Sequence, residues 1–218
     1  LALDEHTYFD PTAIATTAIS TSNGYTLSGK KTMIIDGASA DAFIVVAKTE
    51  GEAALFMVAA DSKGITLTTD VLLDAGTYAT VTFDQVVIAA TDRISGAGEG
   101  TALLNDILNT ASICLSAEML GMITEAFGQT VAYLKEREQF GKRIGTYQAL
   151  QHRAAIMFSE IELCKSIVIQ ALQALDSDAD DIDQLASLAK AKLGKTIKLV
   201  TNEAMQMHGG IGVTDDVN

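Results

Sequence analysis

The first 95 residues alternate short apolar runs with polar or glycine-containing breaks, which is the pattern of β-strands rather than of helices. The clearest apolar runs lie at 42–47, 55–59, 78–83 and 86–88. Asn23-Gly24 separates two further runs and predicts a tight hairpin, because such turns need residues that tolerate positive φ. No helical stretch of about 10–15 residues divides the strands. We therefore expect an antiparallel β-barrel or sandwich instead of a parallel sheet.

The pattern changes after a glycine-rich stretch at 95–100, which we interpret as a linker between domains. Beyond it, apolar residues recur at helical spacing without an interrupting proline, and three helices are predicted. The first helix is predicted from 101 to about 136, and the second from 147 to about 176 with Thr146 as its N-cap. The third is predicted to begin at an N-cap, Asp180 or Asp181, and to end at Gly209-Gly210. The chain is thus predicted to divide into a β domain at 1–95 and a helical domain at 96–218.

The first predicted helix is apolar on nearly every side between Ile107 and Met122. A helix of that kind is normally buried all round. One bundle of this size rarely provides enough cover, so burial against another subunit is the simpler interpretation. Polar residues still interrupt the stretch, and no uninterrupted apolar run reaches the length of about 18 residues that a span requires. We therefore expect no membrane span.

The amino-acid composition limits which binding partners and which cellular compartment we expect. With 218 residues, 48% of them hydrophobic, the chain can form a substantial core and does not resemble a disordered sequence. The net charge of -13 argues against nucleic acid and anionic membranes as main partners, because both require a basic surface. Cys114 and Cys164 both fall in predicted helices among apolar neighbours, so we expect two buried free thiols and a reducing compartment.

The segment 133–142 combines groups that suit a phosphate-bearing ligand. Arg137 offers a planar, two-pronged donor that matches a diphosphate. Gln139 adds a neutral amide, and Phe140 can pack on an aromatic or sugar face. The same arginine is equally well explained as a cation that complements the negative end of the first helix. Taken alone, the segment leaves both interpretations open.

Two further stretches favour the ligand-binding interpretation. The run Q-A-L-Q-H at 148–152 opens the second helix, and Q-M-H-G-G-I-G at 206–212 closes the third. With the pattern Y-x-x-x-R-x-Q-F-G-K at 133–142, in this order and at these spacings, they resemble the signatures of the acyl-CoA dehydrogenase family. The strand segments that resemble the middle domain of that family are 27–31, 37–41 and 46–49. The resemblance extends over essentially the whole chain.

The resemblance implies an α+β fold, in which the β-barrel or sandwich is followed by a four-helix-bundle-like domain. The family's N-terminal helical domain and the end of its C-terminal domain are expected to be absent. FAD is implied as cofactor, with its adenosine-pyrophosphate end reaching across a dimer interface. The positions that match residues binding that end, typically in a neighbouring subunit's FAD, are Arg137, Gln139, Phe140, Gln206, Gly209 and Gly210. Gln148 is expected to support the same surface, and His152 and His208 to be structural.

The reaction of this family is α,β-dehydrogenation of an acyl-CoA thioester. A carboxylate removes the α proton while the β hydrogen leaves as hydride to the flavin. The resemblance therefore implies acyl-CoA as substrate, from fatty acids or steroid side chains. It also implies homologous subunits in a homo- or heterotetramer, and an electron-transfer flavoprotein or similar acceptor. The expected compartment is a bacterial cytoplasm or, as the alternative, a mitochondrial matrix.

The catalytic base is missing from the family's usual positions. Most members place a glutamate downstream of the diglycine turn, which would lie beyond residue 218. Others place it at the position that matches Thr110, which is not a base, and Ala111 replaces a frequent arginine. Glu118 is the nearest acid along the same helix. It lies two turns away, and we expect a structural or interfacial role for it before a catalytic one.

The flavin-contacting positions of the β domain also depart from the family pattern. The segment 4–10 has lost the glycine of the family's T-E-P-x-A-G-S-D run. Met33 and Ile35 stand where a tryptophan and a threonine usually contact the flavin ring. An alkyl group therefore replaces a hydroxyl that would bond the flavin, and we expect Met33 and Ile35 to be core residues.

Three hypotheses about function follow. In the first, the chain is a catalytic dehydrogenase whose base lies outside these 218 residues. In the second, which we favour, it is the degenerate subunit of a heteromeric dehydrogenase, resembling those that act on steroid side chains, and it lends the adenosine half-site to a catalytic partner. The third is a non-enzymatic scaffold on the same fold. Glu-x-x-His pairs, which di-metal bundles require, do not occur, so no metal is expected.

Overall fold

The computed structural model describes residues 1–73, 76–177 and 179–214. The chain forms two compact units, Leu1–Asn105 and Asp106–Asn218. The first is built on a sheet and the second on helices, as the change of sequence pattern predicts. A domain boundary after residue 95 stays a prediction.

The first unit contains one six-stranded sheet. Its strands are β1 (Thr17–Thr21), β2 (Gly24–Ile35), β3 (Ala42–Thr49), β4 (Glu52–Ala59), β5 (Ile65–Val71) and β6 (Thr77–Ala89). They lie in the order β4-β3-β1-β2-β6-β5. The described pairings between these six strands are antiparallel except that of β1 with β3, which run in the same direction at Thr17↔Lys48. An isolated bridge between Ala2 and Val45 is also parallel.

This topology excludes the closed barrel from the expected alternatives of barrel or sandwich. In the part of the chain that the structure describes, β4 and β5 end the sheet and do not pair with each other, so the sheet is open and mixed. The parallel pair arises because the chain leaves β2 through a 3-10 turn at Gly37–Ser39 and returns on the far side of β1. The antiparallel expectation holds for the remaining pairs.

The predicted hairpin joins β1 and β2, with Thr21 paired to Gly24. Its two turn residues are Ser22 and Asn23, one position earlier than the Asn-Gly pair suggests. Gly24 is needed for a different reason, because a Cβ there would lie 2.1 Å from the carbonyl oxygen of Ile88. Close approach to β6, together with a φ of 151°, selects glycine at this position.

A buried ion pair fastens the N-terminal segment to the sheet. Lys31 is 0% exposed, and its Nζ donates to the carbonyl oxygen of Leu3 at 2.9 Å and to Glu5 Oε1 at 2.6 Å. Glu5 also accepts hydrogen bonds from the amides of Ala15 and Thr16. Burial lowers the pKa of Lys31, against the opposing influence of Glu5. Burial alone would raise the pKa of Glu5, but hydrogen bonds from Lys31 and Thr16 hold it below its usual value.

The second unit contains three long helices. They are α1 (Gly100–Glu136), α2 (Gln148–Ser177) and α3 (Ile182–His208). The first turns of α1 belong to the first unit. A two-stranded ribbon between α1 and α2 consists of β7 (Glu138–Gln139) and β8 (Lys142–Arg143). The three predicted helices are therefore confirmed to within a residue or two. The predicted cap is wrong, because Thr146 Oγ1 donates to the carbonyl oxygen of Arg143 at 2.7 Å instead of accepting from α2 amides. Asp181 precedes α3 but makes no side-chain cap.

Helices α2 and α3 pack through an apolar seam flanked by ion pairs. Met157, Ile161 and Leu193 belong to the buried cluster along this seam. Arg153 pairs with Glu203, and Lys192 pairs with Glu160, so charges at two levels fix how the antiparallel helices align. Cys164 is buried as predicted, and burial raises the pKa of its thiol.

Helix α1 is the least covered of the three. Its buried side chains are Leu104, Ile113, Ser116, Ile123, Thr130 and Leu134. Within the chain, only 22% of its most apolar 18-residue window is buried, and Cys114 is exposed, contrary to the prediction. By length and composition α1 could cross a membrane, but the core helices of many other proteins pass the same test. The apolar surface of α1 needs cover that the described residues do not provide.

Candidate functional site

The segment after α1 forms a tight ribbon that projects one aromatic side chain. The Arg137 amide donates to the carbonyl oxygen of Tyr133, and the Arg137 carbonyl oxygen accepts from the Ile144 amide, both at 2.9 Å. Between them, Phe140 (φ 54°) and Gly141 (φ 79°) form a two-residue turn with both residues at positive φ. This geometry leaves the Phe140 side chain 91% exposed at the tip.

The two strands of the ribbon carry the polar candidates. Glu138 lies opposite Arg143, and Gln139 lies opposite Lys142. Residues opposite each other across an antiparallel pair share a face of the ribbon. Arg137 is exposed, and no ion pair within the described ranges involves it. A guanidinium in this state has its donors free for an anionic ligand.

The start of α2 lies next to the ribbon. Gln148 is the first residue of α2 and is exposed, so its amide can reach a ligand at this surface. The preceding residue, Tyr147, lies under the ammonium group of Lys142, whose Nζ is 4.1 Å from the ring centroid. The sequence identifies Gln148, whereas the Lys142–Tyr147 contact requires the folded ribbon.

The end of α3 presents the diglycine candidate. Gly209 has φ 67° and its amide donates to the carbonyl oxygen of Gln206, which ends the helix at His208. A Cβ at Gly209 or Gly210 would meet no heavy atom within 4 Å, so the backbone here is open to a ligand. A groove of about 380 Å³ runs along this end, lined by Asn202, Met205, Gln206, Gly209 and Val213.

The ribbon and the diglycine turn are joined by one contact. Tyr133 Oη donates to the carbonyl oxygen of His208 at 3.3 Å, and the two rings have centroids 4.5 Å apart. Tyr133 lies one turn before Arg137, and His208 immediately precedes Gly209. The structure therefore brings the last turns of α1 and α3 together at one end of the helical unit. Tyr133 is the first residue of the motif at 133–142, but its role becomes visible only in the folded chain.

The histidines have different environments. His208 is buried, and its Nδ1 lies 2.8 Å from the carbonyl oxygen of Ala204, so its predicted packing role is confirmed. His152 is exposed on the first turn of α2, and no hydrogen bond or ring contact given for the described residues assigns it a structural role.

The helical unit offers few catalytic candidates. Thr110, Ala111 and Glu118 are all exposed on α1, and no described hydrogen bond or ion pair involves the Glu118 carboxylate. A separate groove of about 310 Å³ between α1 and α3 contains another acid, Glu125, which accepts a hydrogen bond from Gln129 at 3.0 Å. The described residues contain no group of three metal-ligating side chains.

The flavin-contacting candidates of the first unit face outwards. Met33 is 43% and Ile35 is 72% exposed, so the prediction that they belong to the core is wrong. A register shift between Lys31 and Ile34, with Met33 at φ 54°, turns Lys31 and Ile34 inwards and leaves Met33 and Ile35 on the surface. Period-two alternation alone cannot reveal such a bulge.

A groove of about 890 Å³ lies beside Met33. Its other lining residues are Glu5, His6, Thr7, Tyr8, Thr32, Thr69, Asp70, Val71 and Leu72. The groove is large enough for an aromatic ring system. Met33 and Ile35, however, present alkyl surface where a flavin ring needs hydrogen-bond partners for its polar edge. The fit to FAD is therefore good at the α1 and α3 ends, which offer a guanidinium, amides and open glycines, and poor at these two positions.

Both parts of the chain are similar to known proteins. The family model described as acyl-CoA dehydrogenase, middle domain, matches residues 4–86, and that described as acyl-CoA dehydrogenase, C-terminal domain, matches residues 98–218. A short/branched chain specific acyl-CoA dehydrogenase from Bos taurus mitochondria is 29% identical over 213 residues. The match covers 94% of this chain and 49% of the relative.

Two solved structures have the same fold over nearly the whole chain. The FAD complex of PigA has a TM-score of 0.93 at 26% identity, and the match covers 100% of this chain and 59% of that one. The ChsE4-ChsE5 complex from Mycobacterium tuberculosis has a TM-score of 0.86 at 27% identity, covering 99% of this chain and 56% of that one.

The chain thus spans about half the length of the curated relatives that it matches. Two family models match successive parts of it, and the second alone accounts for more than half of the residues. The sheet-plus-helices architecture agrees with these matches. On this evidence the chain belongs to the acyl-CoA dehydrogenase family.

Proposed function

We propose that this chain is a subunit of an FAD-dependent acyl-CoA dehydrogenase, and that it contributes the half-site for the adenosine-pyrophosphate end of the cofactor. The observation that carries the proposal is the Tyr133–His208 contact, because it joins the Arg137 ribbon and the Gly209 turn at one end of the helical unit. Two separate motifs that the family uses for one ligand therefore lie on neighbouring helix ends.

The side chains at this end suit a diphosphate and a nucleoside. Arg137 would hold the diphosphate through its guanidinium, which can donate two parallel hydrogen bonds to phosphate oxygens. Gln139, Gln148 and Gln206 offer amide groups to phosphate or ribose, and the open backbone at Gly209 and Gly210 admits close approach. Phe140, exposed at the ribbon tip, packs on a ring or sugar face. When bound, FAD supplies the hydride acceptor for α,β-dehydrogenation of the acyl-CoA thioester.

The favoured form of the proposal is a heteromeric enzyme in which the partner performs the chemistry. Met33 and Ile35 give this chain a poor surface for the flavin ring. Thr110 cannot act as a base, and the nearest acid on α1, Glu118, is exposed and has no hydrogen bond or ion pair among the described residues. The exposed apolar side of α1 provides the surface on which a homologous subunit would pack. One relative of similar fold was solved as a complex of two differently named chains.

A catalytic homomeric enzyme is the second candidate. The groove of about 890 Å³ beside Met33 favours it, because the volume is sufficient for a flavin ring even though two contacts are altered. In that case the base would be supplied from outside these residues. Either form would pass electrons to an electron-transfer flavoprotein or similar acceptor. The proposed compartment is a bacterial cytoplasm, with a mitochondrial matrix as the alternative.

Visible absorption separates these forms. The chain is purified alone and after co-expression with a homologous acyl-CoA dehydrogenase subunit, and each sample is assayed on acyl-CoA substrates with an artificial acceptor. A flavin spectrum and turnover only after co-expression would support the heteromeric proposal. The same signals from the chain alone would support the homomeric form. Stable association without flavin or turnover would leave the scaffold hypothesis and refute the proposed function.

The half-site itself is tested by Arg137→Ala in the flavin-containing assembly. Loss of a bidentate, charge-assisted contact is worth about 1.5–3 kcal/mol, or about 10- to 100-fold in affinity. We expect the dissociation constant for FAD, measured by flavin fluorescence during reconstitution, to rise by that factor. Arg143→Ala, on the same ribbon but facing Glu138, is the matched control and should retain FAD. Unchanged affinity in Arg137→Ala would count against the half-site.

A further inference from the structure

Lys142 occupies a defined position on the ribbon. It lies opposite Gln139, so the two side chains share one face, while Arg143 and Glu138 share the other. Its Nζ is 4.1 Å from the centroid of the Tyr147 ring, and Tyr147 immediately precedes Gln148. Lys142 therefore lies between two glutamines of the proposed half-site, although neither the family motif nor the sequence analysis assigns it a ligand-binding role.

The charges around the ribbon explain why a second cation is needed. A dinucleotide diphosphate is doubly negative, and Arg137 contributes only one positive charge. Glu136 and Glu138 flank Arg137 in the chain, and the C-terminal end of α1 adds partial negative charge. The two glutamates and the helix end disfavour an anion, and Lys135 in the last turn of α1 offsets only part of this negative charge. Arg137 alone would thus leave the site short of positive charge.

The ribbon contains two further cations, and their neighbours differ. Arg143 lies opposite Glu138, so an acidic residue shares its face of the ribbon, although the described residues show no ion pair between the two. Lys142 lies opposite the neutral Gln139, on the face that carries the proposed ligand contacts, and no ion pair among the described residues involves it. The Tyr147 ring restrains the ammonium by a cation–π contact and so lowers the entropy lost on binding a phosphate.

We propose that Lys142 is the second cation of the half-site and, held by Tyr147, binds the diphosphate of the dinucleotide beside Arg137. The inference rests on the proposed function, because it concerns the same cofactor half-site. It adds a residue for which the contacts on this ribbon, and not the motif, provide the argument. Because an ammonium acts as a point charge, its contribution should depend strongly on ionic strength.

The test uses the co-expressed, flavin-containing assembly after removal of its cofactor. FAD is titrated back at several NaCl concentrations, and bound flavin is measured by fluorescence. Lys142→Gln should weaken FAD binding about tenfold at low salt and make the affinity less dependent on salt. Lys142→Arg should remain within about threefold of the parent, because it keeps the charge and the stacking on Tyr147. Competition by ADP should weaken in parallel, since ADP carries the diphosphate without the flavin ring.

Two controls separate the possible outcomes. Arg143→Gln removes the neighbouring cation on the opposite face and should change FAD affinity less than twofold. If Arg137→Ala weakens binding but Lys142→Gln does not, the role of Lys142 is refuted and the half-site stands. If neither variant weakens binding, both proposals fail. Tyr147→Leu removes the ring beneath the ammonium. Like Lys142→Gln, it should lower the affinity for FAD and make that affinity less dependent on salt. Tyr147→Phe keeps an aromatic ring and should change neither quantity.

Discussion

Lys31 is one of the largest fully buried side chains in the described part of the chain, and its partner Glu5 comes from a segment that is distant in sequence. A buried ion pair contributes little net stability compared with an apolar pair of the same volume, but removal of one partner leaves an uncompensated charge. The pair therefore determines where the first residues lie against β2. It also places His6, Thr7 and Tyr8 along the groove beside Met33.

Glu5→Gln should lower the free energy of unfolding by about 3 kcal/mol, because Lys31 would stay buried without a countercharge. Glu162→Gln is the matched control. It removes an exposed i,i+3 partner of Lys165 and should cost less than about 1 kcal/mol. Urea denaturation of each variant measures the difference. A loss in Glu5→Gln no larger than in the control would show that the pair is not a structural anchor.

The same pair predicts an acid dependence. The folded-state pKa of Glu5 lies below its usual value of 4.5, so its ionised form stabilises the folded state above that pH. This contribution should be lost as the pH falls below about 4.5 and through the lower folded-state pKa. In Glu5→Gln that part of the acid dependence should be missing. Thermal unfolding from pH 6 down to pH 3, compared between the two proteins, tests the sign.

At the level of elements, α1 has two distinct faces. Ile113 is fully buried against α2 and α3, within a cluster that includes Ala171 and Ala189. Leu115, two positions further on, is 42% exposed, and Met122 is exposed too. A long helix with apolar residues on both faces needs a second packing surface. In our proposal this surface belongs to the partner subunit.

The two faces can be separated by substitution. Ile113→Ala should lower the stability of the chain by about 2–4 kcal/mol, because it removes buried methyl groups and leaves a cavity. Leu115→Glu should leave that stability within about 1 kcal/mol but weaken subunit association, because a carboxylate would enter an apolar interface. Sedimentation velocity of the co-expressed complex measures association. Unimpaired assembly of Leu115→Glu would exclude this face of α1 from the interface.

At the level of the whole molecule, the two units, each taken by itself, differ in how well they suit the proposed cofactor. The helical unit combines a guanidinium, amides and open glycines at one end, whereas the first unit presents alkyl groups at Met33 and Ile35. A chain with these groups is suited to bind the adenosine-pyrophosphate end of an FAD whose flavin ring is bound by a second polypeptide. The net charge of -13 is no obstacle, since the half-site needs only a few local cations.

This division predicts the flavin content of the assembly. If only the partner holds a flavin ring, the purified complex should contain one FAD for each pair of dissimilar subunits. A homomeric or fully competent enzyme would contain one FAD for each chain. Absorbance of the released flavin, combined with the mass of the intact complex, measures the ratio. A ratio of one FAD per chain would overturn the heteromeric form of the proposal while leaving the half-site on α1 and α3 possible.

The sequence by itself determined the three long helices, most strands of the large sheet and the family signatures, because these depend on local periodicity, on the absence of proline after residue 11 and on short motifs. It did not predict β5 or the β7–β8 ribbon. It could not determine features that depend on register and long-range packing. These are the parallel β1–β3 pair, the bulge that exposes Met33 and Ile35, and the uncovered side of α1 that leaves Cys114 exposed. The contact between Tyr133 and His208, 75 residues apart, was also decided by tertiary structure. Only packing brings two helix ends together, so the motif residues could be named from the sequence while their common location could not.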